Sequence, residues 1–301
     1  MSIEQWQKTN AYQISHKGQN IFYKMSATDT TQAIVLFHGA MGSSWDWHLL
    51  FDELSVQYKV IAVDLLGFGL SDKTTDDTKN LSLPQQTEVL EAIFNVNRIK
   101  TVHIVGHDLG AGLAMGMLLL AENARRESKM FFPEIKSITF INGEVLPKER
   151  QLTAGEQALF GLFKTSISKQ WYEKEMIKRC GKTPLTPQAI DLRWQAFSFG
   201  DYFNDKEMSK ALLKSFAYLK EQKEDYNGDR TSWRKALKTT NIPVLLIYGT
   251  SDPVYNEQYI KRYLELTPKS KIEKMNHIGH YPHLESPQET LNLILAFINQ
   301  I

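Results

Sequence analysis

The chain has 301 residues, 42% of them hydrophobic, with 35 Lys+Arg against 34 Asp+Glu for a formal net charge of +1. At roughly 150 residues per domain this is one large domain or two small ones with an ordinary core, and disordered, collagenous and coiled-coil classes are excluded. Balanced charge leaves no global field to recruit nucleic acid or an anionic membrane, so the expected partners are small and uncharged, or local.

The opening MSIEQWQKTNAYQISHKGQN has neither the apolar core of a secretory signal nor an Arg-rich amphipathic transit pattern. The single cysteine, Cys180, suits a reducing compartment, and a cytoplasmic location is expected. Tyr12 to Met25 alternates around Lys17-Gly18 and predicts an antiparallel hairpin. Apolar or β-branched runs at Ala33 to Phe37, Val60 to Asp64, Thr101 to Val105, Ser137 to Ile141 and Val244 to Tyr248 predict buried parallel strands. Leu83 to Asn97 and Leu109 to Ala124 are long enough for crossover helices, so the alternation predicts an α/β fold, a mostly parallel sheet with helices on both faces. The longest uncharged apolar stretch, Leu109 to Ala121, falls short of the roughly 18 residues that span a bilayer and is broken by glycines.

Between Ile141 and Val244 lie 102 residues, far more than a crossover needs. A helical insertion is expected there, which divides the chain into a core of residues 1–144 and 241–301 and a cap of residues 145–240. The insertion is rich in aromatic residues, which serve either as its own core or collectively as the roof of an apolar pocket.

The densest local signal is Thr101-Val102-His103-Ile104-Val105 followed by Gly106-His107-Asp108-Leu109-Gly110. A strand enters a tight turn and leaves as a helix, with glycine two residues before and two after the central position. This is the spacing of a nucleophile elbow, in which small neighbours tolerate a strained central residue whose side chain is thrust out of the sheet. Here that residue is Asp108; an Asp that merely caps a helix would not require both glycines. An elbow needs a backbone N–H donor from a loop after an early strand, and Phe37-His38-Gly39-Ala40-Met41-Gly42 supplies one. It also needs a carboxylate and a histidine downstream. Asp252, in YGTSDPV, and His280, in GHYPHLESP, follow in the chain order nucleophile, acid, base.

Through HGAMGSSWDW, DLLGFGLSD, VGHDLGAG, YGTSDPV and GHYPHLESP, the chain from Ala33 onward resembles the α/β-hydrolase superfamily, and within it the branch with an aspartate nucleophile, the epoxide hydrolases and haloalkane dehalogenases. INGEV and GHYPHLESP are also similar to the mesoderm-specific-transcript-like relatives of that branch. The resemblance implies an α/β-hydrolase fold, Asp108 as nucleophile, His280 as base and Asp252 as the acid that orients it. It also implies an oxyanion hole from the N–H groups of Ala40 and Leu109, and no cofactor. Glu144, just beyond the Ser137 to Ile141 strand, is the alternative acid. Epoxide hydrolases draw hydroxyl donors from cap tyrosines, and Tyr218 is the candidate among Tyr172, Tyr202, Tyr218 and Tyr226. Dehalogenases commonly place a side-chain donor directly after the nucleophile and after the His-Gly pair, where this chain has Leu109 and Ala40. The resemblance therefore implies epoxide opening before halide release. His277, His280 and His283 recur every third residue, but the intervening Gly and Pro preclude a regular helical face, and no metal is expected. His38 and His107 are expected to be structural, and Asp64 to end a strand and hold a loop.

Overall fold

The computed structural model describes residues 2–72, 83–127, 133–143, 168–197, 231–267 and 269–301. Eight strands form one sheet in the order β1-β2-β4-β3-β5-β6-β7-β8. They are β1 (Ala11–His16), β2 (Gln19–Met25), β3 (Gln32–Phe37), β4 (Lys59–Val63), β5 (Thr101–Asp108), β6 (Glu134–Gly143), β7 (Val244–Gly249) and β8 (Lys271–Met275). The strands from β4 across to β8 run parallel, while β1 and β2 are an antiparallel hairpin whose second strand joins β4. Lys17 and Gly18, both with positive φ, make its two-residue turn.

Apart from the edge strand β8, the parallel strands are largely buried on both faces because helices cover each side, so Ala33–Phe37 and Val244–Gly249 are continuous apolar runs with no polar face. Helices α1 (Ile3–Lys8), α2 (Phe51–Leu54), α3 (Leu83–Val96), α4 (Leu109–Arg126), α7 (Thr231–Thr239) and α8 (Glu257–Leu266) are contributed before, between or after strands. One cluster of buried residues includes Ile93, Leu113, Leu118 and Tyr263, and a second holds Trp6, Trp47, Leu54, Leu291 and Ile294. The chain ends in α9 (Pro282–Glu285) and α10 (Pro287–Ile298).

Between β6 and β7 the described residues form α5 (Lys169–Arg179), α6 (Pro187–Phe197) and α7. Tyr172, Trp194 and Phe197 pack ring on ring at 5.1 to 6.2 Å. No helix among the described residues is long and apolar enough to cross a membrane.

Candidate functional site

The site lies at the C-terminal ends of the parallel strands, where a doubly covered sheet opens to ligands. β5 runs straight into α4 with no connecting loop, and Asp108 at the junction has φ 47° and ψ −110°. A non-glycine residue in that region is strained by about 1–3 kcal/mol, held there by its surroundings. The turn closes only because its flanks lack side chains. A Cβ on Gly106 would stand 2.4 Å from the Gly110 carbonyl oxygen, and one on Gly110 2.3 Å from that of Phe37.

The carboxylate so presented is held at both oxygens. Oδ2 accepts a 3.0 Å hydrogen bond from the Ala40 N–H, and Oδ1 accepts one of 2.8 Å from the Tyr255 hydroxyl. Leu109 opens α4 directly after Asp108. The loop that carries Ala40 is rigid for identifiable reasons. His38 donates from Nδ1 to the Gly39 carbonyl at 2.8 Å and accepts the Leu65 N–H on Nε2 at 3.1 Å, which fixes its tautomer. Asp64, at the end of β4, accepts the N–H groups of Ser44 at 2.6 Å and Leu70 at 2.7 Å.

Asp252 follows β7 and is 3% exposed; His280 follows β8 and is 1% exposed. His280 Nδ1 and Asp252 Oδ2 are 2.9 Å apart, and the other oxygen of Asp252 accepts the Val254 N–H at 2.7 Å. A buried carboxylate on Nδ1 assigns that nitrogen the proton and leaves Nε2 as the proton acceptor. The Tyr255 ring stacks on that of His280 at 5.8 Å and 17°, so one tyrosine touches both the carboxylate of Asp108 and the imidazole of His280. Tyr255 was not anticipated; its only signal is its place three residues beyond Asp252, where the turn held by Val254 folds the chain back. Glu144 and Tyr218 lie outside the described residues. His277 is exposed with φ 65°, whereas His280 and His283 are buried, so the every-third spacing does not bring the three rings to one point. Among the described residues no group of His, Cys, Asp or Glu is placed to hold a metal ion.

Two helices from the segment between β6 and β7, α5 and α6, reach these residues directly. Arg193 of α6 is 2% exposed and Asp46 is fully buried; they form a two-pronged pair at 2.8 Å and 2.8 Å. Arg193 also donates to the Tyr172 hydroxyl at 2.6 Å, which in turn donates to the Met41 carbonyl at 3.2 Å. Desolvation, the largest influence on Arg193, would drive it toward neutrality, but the Asp46 charge and hydrogen bond together with Tyr172 and Tyr281 outweigh it and hold the guanidinium protonated. At the end of α5, Arg179 is buried with Nε 3.6 Å from Glu175. Burial lowers its pKa, yet Tyr281, Asp108, Glu175 and Asp252 together reverse that and keep it a cation.

Behind the site sits a layer of neutral imidazoles. His107 donates from Nε2 to the His280 carbonyl at 2.8 Å, and burial, reinforced by His280, pushes its pKa down to about 3. His283 stacks on Trp47 at 4.6 Å and His107 at 4.5 Å. Neither of its ring nitrogens has a hydrogen-bond partner among the described residues, and burial holds its pKa well below 6.5. The unfolded chain therefore binds protons that the folded one refuses. The stability these groups confer is complete above pH 6.5 and is lost as pH falls from 6.5 toward 3. Thermal unfolding from pH 7 to 5 should show Tm falling steadily with acid, and His283→Phe, which keeps the stacked ring, should flatten the slope by close to one proton. An unchanged slope in that variant would refute the account.

Four matches to known proteins bear on this geometry. The family profile described as alpha/beta hydrolase fold matches residues 32–287. The human mesoderm-specific transcript homolog protein is 29% identical over 99% of this chain and 88% of its own length. Among solved structures, the epoxide hydrolase CorEH is similar at a TM-score of 0.71 with 15% identity, covering 96% of this chain and 98% of that one. The serine hydrolase CarC of carbazole degradation is similar at a TM-score of 0.70 with 18% identity, covering 97% and 99%. At such identities the likeness speaks for the fold alone, and chemistry has to be read from the residues at the elbow.

Proposed function

Starting from the premise that the chain belongs to the α/β-hydrolase fold family, we propose that it hydrolyses a small apolar epoxide through an ester on Asp108. In this reading Asp108 is the nucleophile, His280 the base, Asp252 its orienting acid, Ala40 and Leu109 the oxyanion donors, and residues 145–240 a helical cap over a core of 1–144 and 241–301. The supporting observation is that the elbow carries a carboxylate, not a hydroxyl, with one oxygen already seated on the Ala40 N–H at 3.0 Å. A serine at an elbow must lose a proton before it attacks. An ionised carboxylate is a nucleophile as it stands and suits displacement at saturated carbon.

Oδ1 of Asp108 attacks an epoxide carbon as Tyr255 releases it. The ring C–O bond breaks with its electron pair on the departing oxygen, which takes a proton from solvent water; the balancing proton returns to solvent when Asp108, freed at the end of the cycle as the carboxylic acid, ionises again. Oδ2 stays on the Ala40 N–H and becomes the ester carbonyl. Water, deprotonated by His280 Nε2, next adds to the Asp108 carbonyl carbon. The oxyanion that forms is stabilised by the loop donors, each worth about 3–4 kcal/mol in such sites, while Asp252 steadies the imidazolium. Collapse expels the alkoxide, which takes the proton from His280, and a diol leaves.

The test is to incubate the protein and Asp108→Ala with panels of epoxides, haloalkanes and p-nitrophenyl esters, following diol, halide and phenolate. Diol formation that vanishes in the variant is the expected result. Halide release alone would make the protein a dehalogenase. Silence on every panel would leave a ligand-binding protein of hydrolase fold.

A further inference from the structure

We propose that Glu285 is the positioning residue for His280, a single carboxylate that locks the end of a cap helix to the loop bearing the base; the inference rests on the two-step reading of the site. Glu285 Oε2 accepts two backbone N–H groups, from Gly181 at 2.7 Å and Gly279 at 2.9 Å. Its Oε1 accepts a third, from Tyr281 at 2.9 Å. Gly279 and Tyr281 flank the base, and Gly181 is the second residue after α5. The intervening N–H of His280 itself goes to the Arg179 carbonyl at 2.7 Å, and Lys182 donates back to the His277 carbonyl at 2.9 Å. A short ladder thus joins residues 179–182 to residues 277–281, with Glu285 closing it. The strands of this ladder approach so closely that a Cβ on Gly181 would lie 1.9 Å from the His277 carbonyl oxygen.

Geometry makes this more than a cap tether. Hydrogen bonds to an ionised acceptor are the strong kind, and here they grip the peptide groups on both sides of His280. Its carbonyl is held by His107 at 2.8 Å and that of Gly279 by Asn142 at 2.7 Å. Asp252 fixes the imidazole at Nδ1 alone, so the direction of Nε2 depends on where the backbone sits. Loss of Glu285 releases two of those peptide groups. Misplacing a general base harms only the step that uses it. Attack by Asp108 needs no base, whereas ester hydrolysis needs His280, so the two rates should separate.

The experiment uses the full chain as Glu285→Ala and Glu285→Gln. Amide exchange and the low-field His280 Nδ1–H resonance are followed first, then rapid-quench kinetics and intact mass with styrene oxide. In Glu285→Ala the amides of Gly181, Gly279 and Tyr281 should exchange faster together, with β5 unaffected, and the Nδ1–H resonance should weaken. Ester formation should keep its rate while ester hydrolysis slows 10- to 100-fold, so ester accumulates and KM falls with kcat. Glu285→Gln, which keeps one acceptor oxygen, should fall between and decides the matter if the alanine variant does not fold. An unmoved Nδ1–H resonance, or equal slowing of both steps, would overturn the proposal. If the unaltered protein forms no ester, the two-step reading fails, while the exchange and resonance measurements still judge the clamp.

Discussion

Replacing His280 by glutamine is expected to leave a protein that opens one substrate molecule and cannot let it go. The amide is close in length to the imidazole and can still donate toward Asp252, whose oxygen lies 2.9 Å from Nδ1 in the unaltered protein, so the pocket keeps its shape. It cannot accept a proton from water. A general base contributes about 100- to 10,000-fold, and turnover should drop by that factor while the first bond-making step survives. The covalent ester then collects on Asp108, visible as an intact-mass increase equal to the whole epoxide, since addition expels nothing. A haloalkane would add its mass less that of the hydrogen halide, so one spectrum separates the two chemistries. An absence of adduct with a substrate that the unaltered protein consumes would contradict the mechanism. Asp108→Ala should give no adduct at all.

Breaking the pair between Arg193 and Asp46 should be the most destabilising single change. Asp46→Ala leaves a guanidinium, 2% exposed, without its carboxylate. Removing one partner of a buried pair costs about 3–5 kcal/mol, which for a chain of this size lowers Tm by about 10 °C. The double variant Asp46→Ala with Arg193→Met should recover much of that, because no charge is then left buried alone and methionine fills similar space. Thermal denaturation of the two single variants and the double measures the coupling. A drop in Tm of less than about 3 °C for Asp46→Ala, below about 1 kcal/mol on this scale, would mean that the pair is not a principal tie between α6 and the loop of Asp46.

What the sequence made legible followed from local physics. The strands at the centre of the sheet were readable because burial on both faces demands unbroken apolar runs, as in Ile34 to Phe37 and Leu245 to Ile247. The elbow was readable because close packing of a turn forces glycine at two fixed offsets. By contrast β8, KIEKM, is an edge strand with an exposed or half-buried pattern up to Met275, and its lysines and glutamate hid it. Tyr255, Arg193 and Glu285 were invisible for another reason. Their hydrogen bonds span 147, 147 and 104 residues respectively, and no local periodicity encodes a contact at that range. A tyrosine after Asp-Pro-Val, an arginine in an amphipathic helix and a glutamate before Ser-Pro each look like ordinary surface chemistry until the fold closes on them.

The two anchorages of α5 and α6 bear on how such proteins can be recombined. One fastens the inserted helices to the loop of Ala40 through Asp46, the other to the loop of His280 through Glu285. A chimera that imports these helices from another hydrolase would have to import a guanidinium for Asp46 and a tight helix exit with an open N–H for Glu285. Without both, the graft would disturb the very loops that the recipient sheet is meant to supply, so these helices and those loops are not interchangeable parts.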